Sequence, residues 1–246
     1  MTALEHPDHK TQPRSRRSRV RAALHALSAV LIVSGVLLLA DAGLTVFWQE
    51  PLSALYNRIQ QGELSGQLEG DLKGALAPTA VERRALATLP EADARVAFAA
   101  RALDRKIKPG QPIGRIVIPR IGLSKVIVEG TTTDVLPKGP GHYPATPLPG
   151  APGTVAIAGH RTTYGAPFRD VDDLDPGDRI EMRMPYGSVV YRVERLRIVP
   201  PSATYVTARR SYDRLVLTAC HPLYSAAKRI VVFARKVDAT ASQSLY

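Results

Sequence analysis

The chain has 246 residues, a formal net charge of +11 and a single cysteine. That length bounds it to one or two domains with a sizeable core, and one thiol excludes an internal disulfide and any multi-cysteine metal cluster. The positive charge forms no aromatic-interleaved basic stripe and no helix-turn-helix pattern, which argues against a nucleic-acid partner and for a basic face toward an anionic membrane or wall surface.

Residues 1–22 are a basic arm, with Lys10, Arg14, Arg16, Arg17, Arg19 and Arg21 against Glu5 and Asp8. The arm runs into residues 23–48, "ALHALSAVLIVSGVLLLADAGLTVFW", an apolar run long enough to cross a bilayer as a helix. Asp41 falls near its far end, where a charge is tolerated, and Trp48 falls where an interfacial aromatic is expected. A cleaved signal peptide is the alternative, with Ala40–Asp41–Ala42 resembling a cleavage site, but the run exceeds a usual signal core. The arginines precede the span, so the expectation is a single-pass cell-membrane protein with a cytoplasmic N-terminus and an extracellular C-terminal domain.

Residues 49–106 read as a helical juxtamembrane stalk. Leu52, Leu55, Ile59 and Leu64 have helical spacing, and the alanine-rich stretch after Pro78 is a helix broken near Leu89–Pro90. From 107 to 238 the pattern changes to short strands: "RIVIPRIG" split by Pro119, "SKVIVEG", "TVAIAGH", "DRIEMRM", "SVVYRVERLRIVP", "RLVLTAC" and "RIVVFARKV". With almost no helix between them, they predict a mostly β domain, a barrel or a sandwich. Residues 239–246 are a C-terminal tail.

Three strand ends carry side chains that together suit acyl transfer through a thioester. Cys220 ends "RLVLTA", His160 ends "TVAIAG" and Arg229 opens "RIVVFA". A thiolate attacks carbonyls, an imidazole can protonate a leaving amine, and a guanidinium can hold substrate or a developing oxyanion. Taken singly, each residue has a plainer reading: a buried inert thiol, a loop histidine, a surface charge. His221 and His142 are rival bases, although His221 points away from the thiol if the strand continues through it. Metal binding by Cys220, His221 and His160 lacks a clear further ligand. No cofactor is called for, and the acidic run Asp170, Asp172, Asp173 and Asp175 reads as solvent-facing.

In order along the chain, these pieces resemble the sortases, cysteine transpeptidases of Gram-positive cell surfaces. The resemblance covers about residues 107–238. It rests on Val216–Leu217–Thr218–Ala219–Cys220, on Ala158–Gly159–His160–Arg161, and on Arg229 before Ile230–Val231–Val232. The opening strand Ile116–Leu123 and the stretch Leu136–Tyr143 add to it. Ala219 stands where the family pattern has threonine. The short loop after Cys220 and the run His160–Gly165 are similar to class E, the group common in actinobacteria, with class D the nearest confusion.

The resemblance implies an eight-stranded closed β-barrel behind a transmembrane helix and stalk. It implies catalysis by Cys220, His160 and Arg229, with Thr218, Ala219, His221 and Tyr164 at the substrate and apolar groove residues from 198–206. The implied reaction cleaves a Leu-Ala-X-Thr-Gly or Leu-Pro-X-Thr-Gly sorting signal between threonine and glycine, then joins the surface protein to a peptidoglycan-precursor amine. The competing classes are a membrane-anchored binding or scaffold domain without chemistry, and a thiol peptidase without amine transfer.

Overall fold

The structure, a computed structural model, describes residues 16–47, 51–74 and 76–242. Trp48, most of the basic arm and the end of the tail lie outside the described residues. The chain divides into two compact units, Met1–Trp48 and Gln49–Tyr246.

The first unit is one continuous helix, α1 (Arg16–Phe47). Its stretch Val20–Gly43 is 24 residues long with a mean hydropathy of 2.3. At about 1.5 Å per residue it exceeds the ~30 Å of a hydrocarbon core. The leucines and valines of this stretch stand exposed, Leu39 at 75%, which is compatible with a helix that spans a membrane.

The second unit begins with three helices. They are α2 (Pro51–Lys73), α3 (Ala80–Thr88) and α4 (Ala92–Asp104). Thr79 caps α3 in a capping box, accepting from the Glu82 N–H while the Glu82 carboxylate accepts from the Thr79 N–H. Pro90 separates α3 from α4, as the sequence predicts.

Residues 80–104 pack on the barrel. Leu86, Val96, Ala100 and Leu103 belong to the same apolar cluster as Ile113 and Val189 of the barrel. Each of the larger ones contributes about 1.5–3 kcal/mol by leaving water. α2 is held by side-chain amides that substitute for missing strand partners. Gln61 accepts from the Val126 N–H at 2.7 Å and donates to the Val126 and Lys138 carbonyls. Asn57 donates to the Pro137 and Lys138 carbonyls. Buried backbone groups that lack a ladder must find such partners.

Eight strands close the barrel. They are β1 (Pro112–Ile118), β2 (Leu123–Glu129), β3 (Gly141–His142), β4 (Thr154–Ala158), β5 (Arg179–Met184), β6 (Gly187–Val199), β7 (Arg214–His221) and β8 (Lys228–Ala241). Around the barrel they run β1-β2-β3-β4-β7-β8-β6-β5, and β5 pairs back to β1. The pairs β2–β3 and β4–β7 are parallel and the rest antiparallel. Pro119 stops β1 at a short turn, and Gly122 at φ 60° reverses the chain into β2. β8 runs through Ala241, so the expected tail begins inside a strand.

Two apolar layers result from alternation along β7 and β8. Leu215, Leu217, Ala219, Ile230 and Val232 face the barrel interior. Val216, Val231 and Phe233 face outward, where with Ala156 they meet Val199, Ala203 and Val206 of the β6–β7 connection.

Candidate active site

The parallel β4–β7 ladder places Ala158 opposite Thr218, and the Gly159 N–H donates to the Thr218 carbonyl at 3.0 Å. Carried two residues further, that register brings His160 alongside Cys220. On the other side of β7, Cys220 is the direct cross-strand partner of Arg229. Cys220 and Arg229 therefore face each other across the β7–β8 ladder, and His160 follows two residues past the end of β4, on the other side of β7. By alternation Cys220 shares the outward face of β7 with Val216 and Thr218, and Arg229 shares that of β8 with Val231 and Phe233. The thiol and the guanidinium thus stand on the same outer face as the apolar layer formed with Val199, Ala203 and Val206.

Each of the three is held locally. A Cβ at Gly159 would meet the Phe168 ring at 2.4 Å, so only glycine lets the ring pack there. The Phe168 N–H donates back to the His160 carbonyl at 2.9 Å, closing the loop. The His160 ring lies 5.1 Å from the Tyr164 ring, and Tyr164 in turn meets Tyr56 of α2 edge-on at 6.3 Å. Tyr164 adopts φ 51°, a left-handed conformation that its N–H bond to Ser53 Oγ and these ring contacts sustain. Burial holds the His160 pKa below the ordinary histidine value. Its Nε2 is buried without a hydrogen-bond partner.

Cys220 is a half-buried free thiol. Arg229 is partly exposed and makes no ion pair among the described residues; its Nη1 donates to the Ala226 and Lys228 carbonyls. The other donors of the guanidinium fork are left for a ligand.

The remaining predicted residues divide. Thr218 lies on the thiol's face, its hydroxyl 3.0 Å from the Tyr143 hydroxyl. Ala219 turns into the barrel core at 4% exposure and so does not line the groove. A residue adjacent in sequence to an outward-facing one must face inward in a strand. His221 is on the opposite side of the strand from the thiol, with Nδ1 3.2 Å from Arg161 Nη1. Since a guanidinium only donates, Nδ1 accepts there. His142, the other rival base, is fully buried, with Nδ1 2.7 Å from the Glu129 carboxylate and Nε2 near Thr146.

Three residues around the site have roles that the sequence does not show. Arg161 is 2% exposed and ties Asp172, the Arg169 carbonyl and His221 together, fixing the chain just after His160. Its neighbour position in "HRT" is the only local signal. Asp172 is exposed, as the acidic run predicts, yet it serves as the counterion of this buried arginine. Tyr143 packs against the outer apolar layer while its hydroxyl reaches Thr218, a role that depends on β3 lying beside β4.

A Sortase domain model matches residues 116–237. The chain is 34% identical to Sortase D of Bacillus subtilis over 136 residues, covering 54% of this chain and 67% of that protein. It is 31% identical to Sortase SrtE1 of Streptomyces coelicolor over 147 residues, covering 53% of this chain and 42% of that one. Among solved structures, a Sortase D5 transpeptidase from Clostridium perfringens superposes with a TM-score of 0.55 at 27% identity, over 71% of this chain and 98% of that one. A closed barrel of this strand order, the matched domain and these relatives together make the chain a member of the sortase family, cysteine transpeptidases that join proteins bearing a sorting signal to cell-wall precursors.

Proposed function

We propose that the chain is a class E-like sortase acting through Cys220, His160 and Arg229. The observation that supports this reading is the direct cross-strand pairing of Cys220 with Arg229 on the outer face of β7 and β8, with His160 just past the end of the neighbouring β4. Cys220 attacks the threonine carbonyl of the sorting signal as a thiolate. The carbonyl oxygen gathers negative charge, and Arg229 donates to it. Protonated His160 gives its proton to the departing glycine amine as the threonine–glycine bond breaks, leaving a thioester. An amino group of a peptidoglycan precursor then attacks the thioester, neutral His160 takes the proton, and the thiolate departs.

Thr218 and Tyr164 border the path of the signal in this reading, Thr218 beside the thiol and Tyr164 against the catalytic imidazole. Tyr164 matches the tyrosine associated in the family with a preference for Leu-Ala-X-Thr-Gly over Leu-Pro-X-Thr-Gly. Relatives of both class D and class E match the chain, so substrate preference is what separates the two. α1 anchors the enzyme once in the cytoplasmic membrane, arginine arm inside and barrel outside.

The test is transpeptidation by the full chain in detergent, with fluorogenic Leu-Ala-X-Thr-Gly and Leu-Pro-X-Thr-Gly peptides and an amine acceptor, read by product mass. The amide product with faster turnover of the alanine peptide is expected. Free acid as the sole product in excess amine would make the protein a peptidase. A preference for the proline peptide would move it out of class E. Labelling of an introduced barrel cysteine by an impermeant reagent on intact cells, in the Cys220→Ala background, checks the orientation.

A further inference from the structure

A cavity of about 370 Å³ opens between α2 and the β1–β2 hairpin, bordered at one side by Gly165 of the histidine loop. Three of its lining side chains are cations: Arg58 from α2, Arg115 from β1 and Lys125 from β2. None of the three takes part in an ion pair among the described residues. Their recorded bonds are to neutral groups, Arg115 to Ser65 Oγ at 2.9 Å and Lys125 to Asn57 Oδ1 at 2.9 Å. The acids nearby are occupied elsewhere. Glu181, on the strand beside β1, holds Arg179 and Arg183, and Glu63 of α2, bonded to the Gln60 amide, forms no ion pair with the three cations among the described residues. Burial, then the repulsion of Arg58 and Arg115, draws the Lys125 pKa down.

Like charges gathered around a concave space repel one another and are relieved by an anion entering it. The space is roughly ten times a water molecule's share of liquid volume, which admits a group larger than one carboxylate. Two planar guanidinium forks and one ammonium suit tetrahedral oxygens bearing more than one charge. The hydroxyl of Ser124, also in the lining, supplies a neutral donor. We propose that this cavity is a binding site for a phosphate-type oxyanion, pyrophosphate or phosphate ester, separate from Cys220, His160 and Arg229. Its position at the back of the histidine loop couples occupancy to α2, which forms one wall.

The test is calorimetric titration of inorganic pyrophosphate into the full-length Cys220→Ala protein, so that the outcome is independent of catalysis. In nanodiscs of phosphatidylcholine at near-physiological salt, a one-to-one isotherm with Kd below about 1 mM is expected. Arg58→Gln, at an exposed position with no recorded bond, is expected to raise Kd about tenfold or more, since one charge-assisted contact is worth a decade or so. The triple change Arg58→Gln, Arg115→Gln and Lys125→Gln abolishes binding, while Arg197→Gln, outside the cavity, leaves Kd unchanged.

Absence of saturation, or equal affinity in the wild-type and Arg58→Gln proteins, overturns the proposal. Far-UV circular dichroism checks the fold of the triple variant. Repeating the titration with phosphatidylglycerol in the nanodiscs identifies the natural source. A raised apparent Kd assigns the site to lipid headgroups, and an unchanged one assigns it to a soluble or precursor-borne phosphate.

Discussion

Cys220 and Arg229 stand directly opposite each other on the antiparallel β7–β8 ladder. Opposed residues on one face of such a pair have Cβ atoms about 4.5–5.5 Å apart. The arginine side chain therefore starts beside the thiol on the same face, with its Nη1 donating to the Ala226 and Lys228 carbonyls. Arg229→Ala is expected to lower kcat/KM about 10²–10³-fold, the range for removing one oxyanion donor. Arg229→Lys should recover little of it, because a point charge cannot reproduce the fork. Steady-state kinetics on both variants checks this, and wild-type rates in Arg229→Lys would leave only a charge requirement.

His160→Ala should nearly abolish transpeptidation, with kcat down about 10³-fold or more, because the nucleophile and its proton donor act as a unit. His221→Ala should leave kcat within a few fold. It removes an acceptor from buried Arg161, so its cost should appear instead as about 1–2 kcal/mol of lost stability. Paired kinetics and denaturant unfolding separate the two effects. A mild His160→Ala beside a severe His221→Ala would exchange their roles.

Burial keeps His160 neutral to lower pH than an ordinary histidine. A histidine whose folded pKa is lowered binds fewer protons than its unfolded form, so stability falls as pH drops below about 6.5 and levels off beneath the folded pKa. The His160 ring-proton resonance in Cys220→Ala protein should titrate with a midpoint below 6.5. Tyr164→Ala uncovers the imidazole and should move that midpoint upward. A midpoint that stays put would remove Tyr164 as the group that shields the ring.

Gly165 sits at φ +69°, and a Cβ there would lie 2.6 Å from Asn57 Oδ1. Gly165→Ala should therefore strain the histidine loop and loosen α2 together, costing about 1–3 kcal/mol. Asn57→Ala leaves the Pro137 carbonyl and the Lys125 ammonium without their amide, and the Lys138 carbonyl with Gln61 alone, and should cost a similar amount. Gly66→Ala, where an added Cβ meets nothing within 4 Å, should be neutral or stabilise α2 by about 0.5–1 kcal/mol. Thermal unfolding of the three variants checks the order.

By itself the sequence determined what depends on neighbouring residues. Composition over one stretch sets the apolar span of α1, and alternation with turn residues sets the strands around Ile116, Val155, Leu217 and Val231. The types and order of Cys220, His160 and Arg229 were equally plain. Only the tertiary structure decided which strands become neighbours. β4 and β7 are parallel although some sixty residues separate them, and that pairing alone brings His160 to Cys220. The tertiary structure also turned Ala219 inward, gave His221 to Arg161, and docked α2 through Asn57 and Gln61. The physical reason is that periodicity records which side of an element is apolar, whereas the partner on that side is selected by non-local backbone pairing, whose hydrogen bonds carry no side-chain signature.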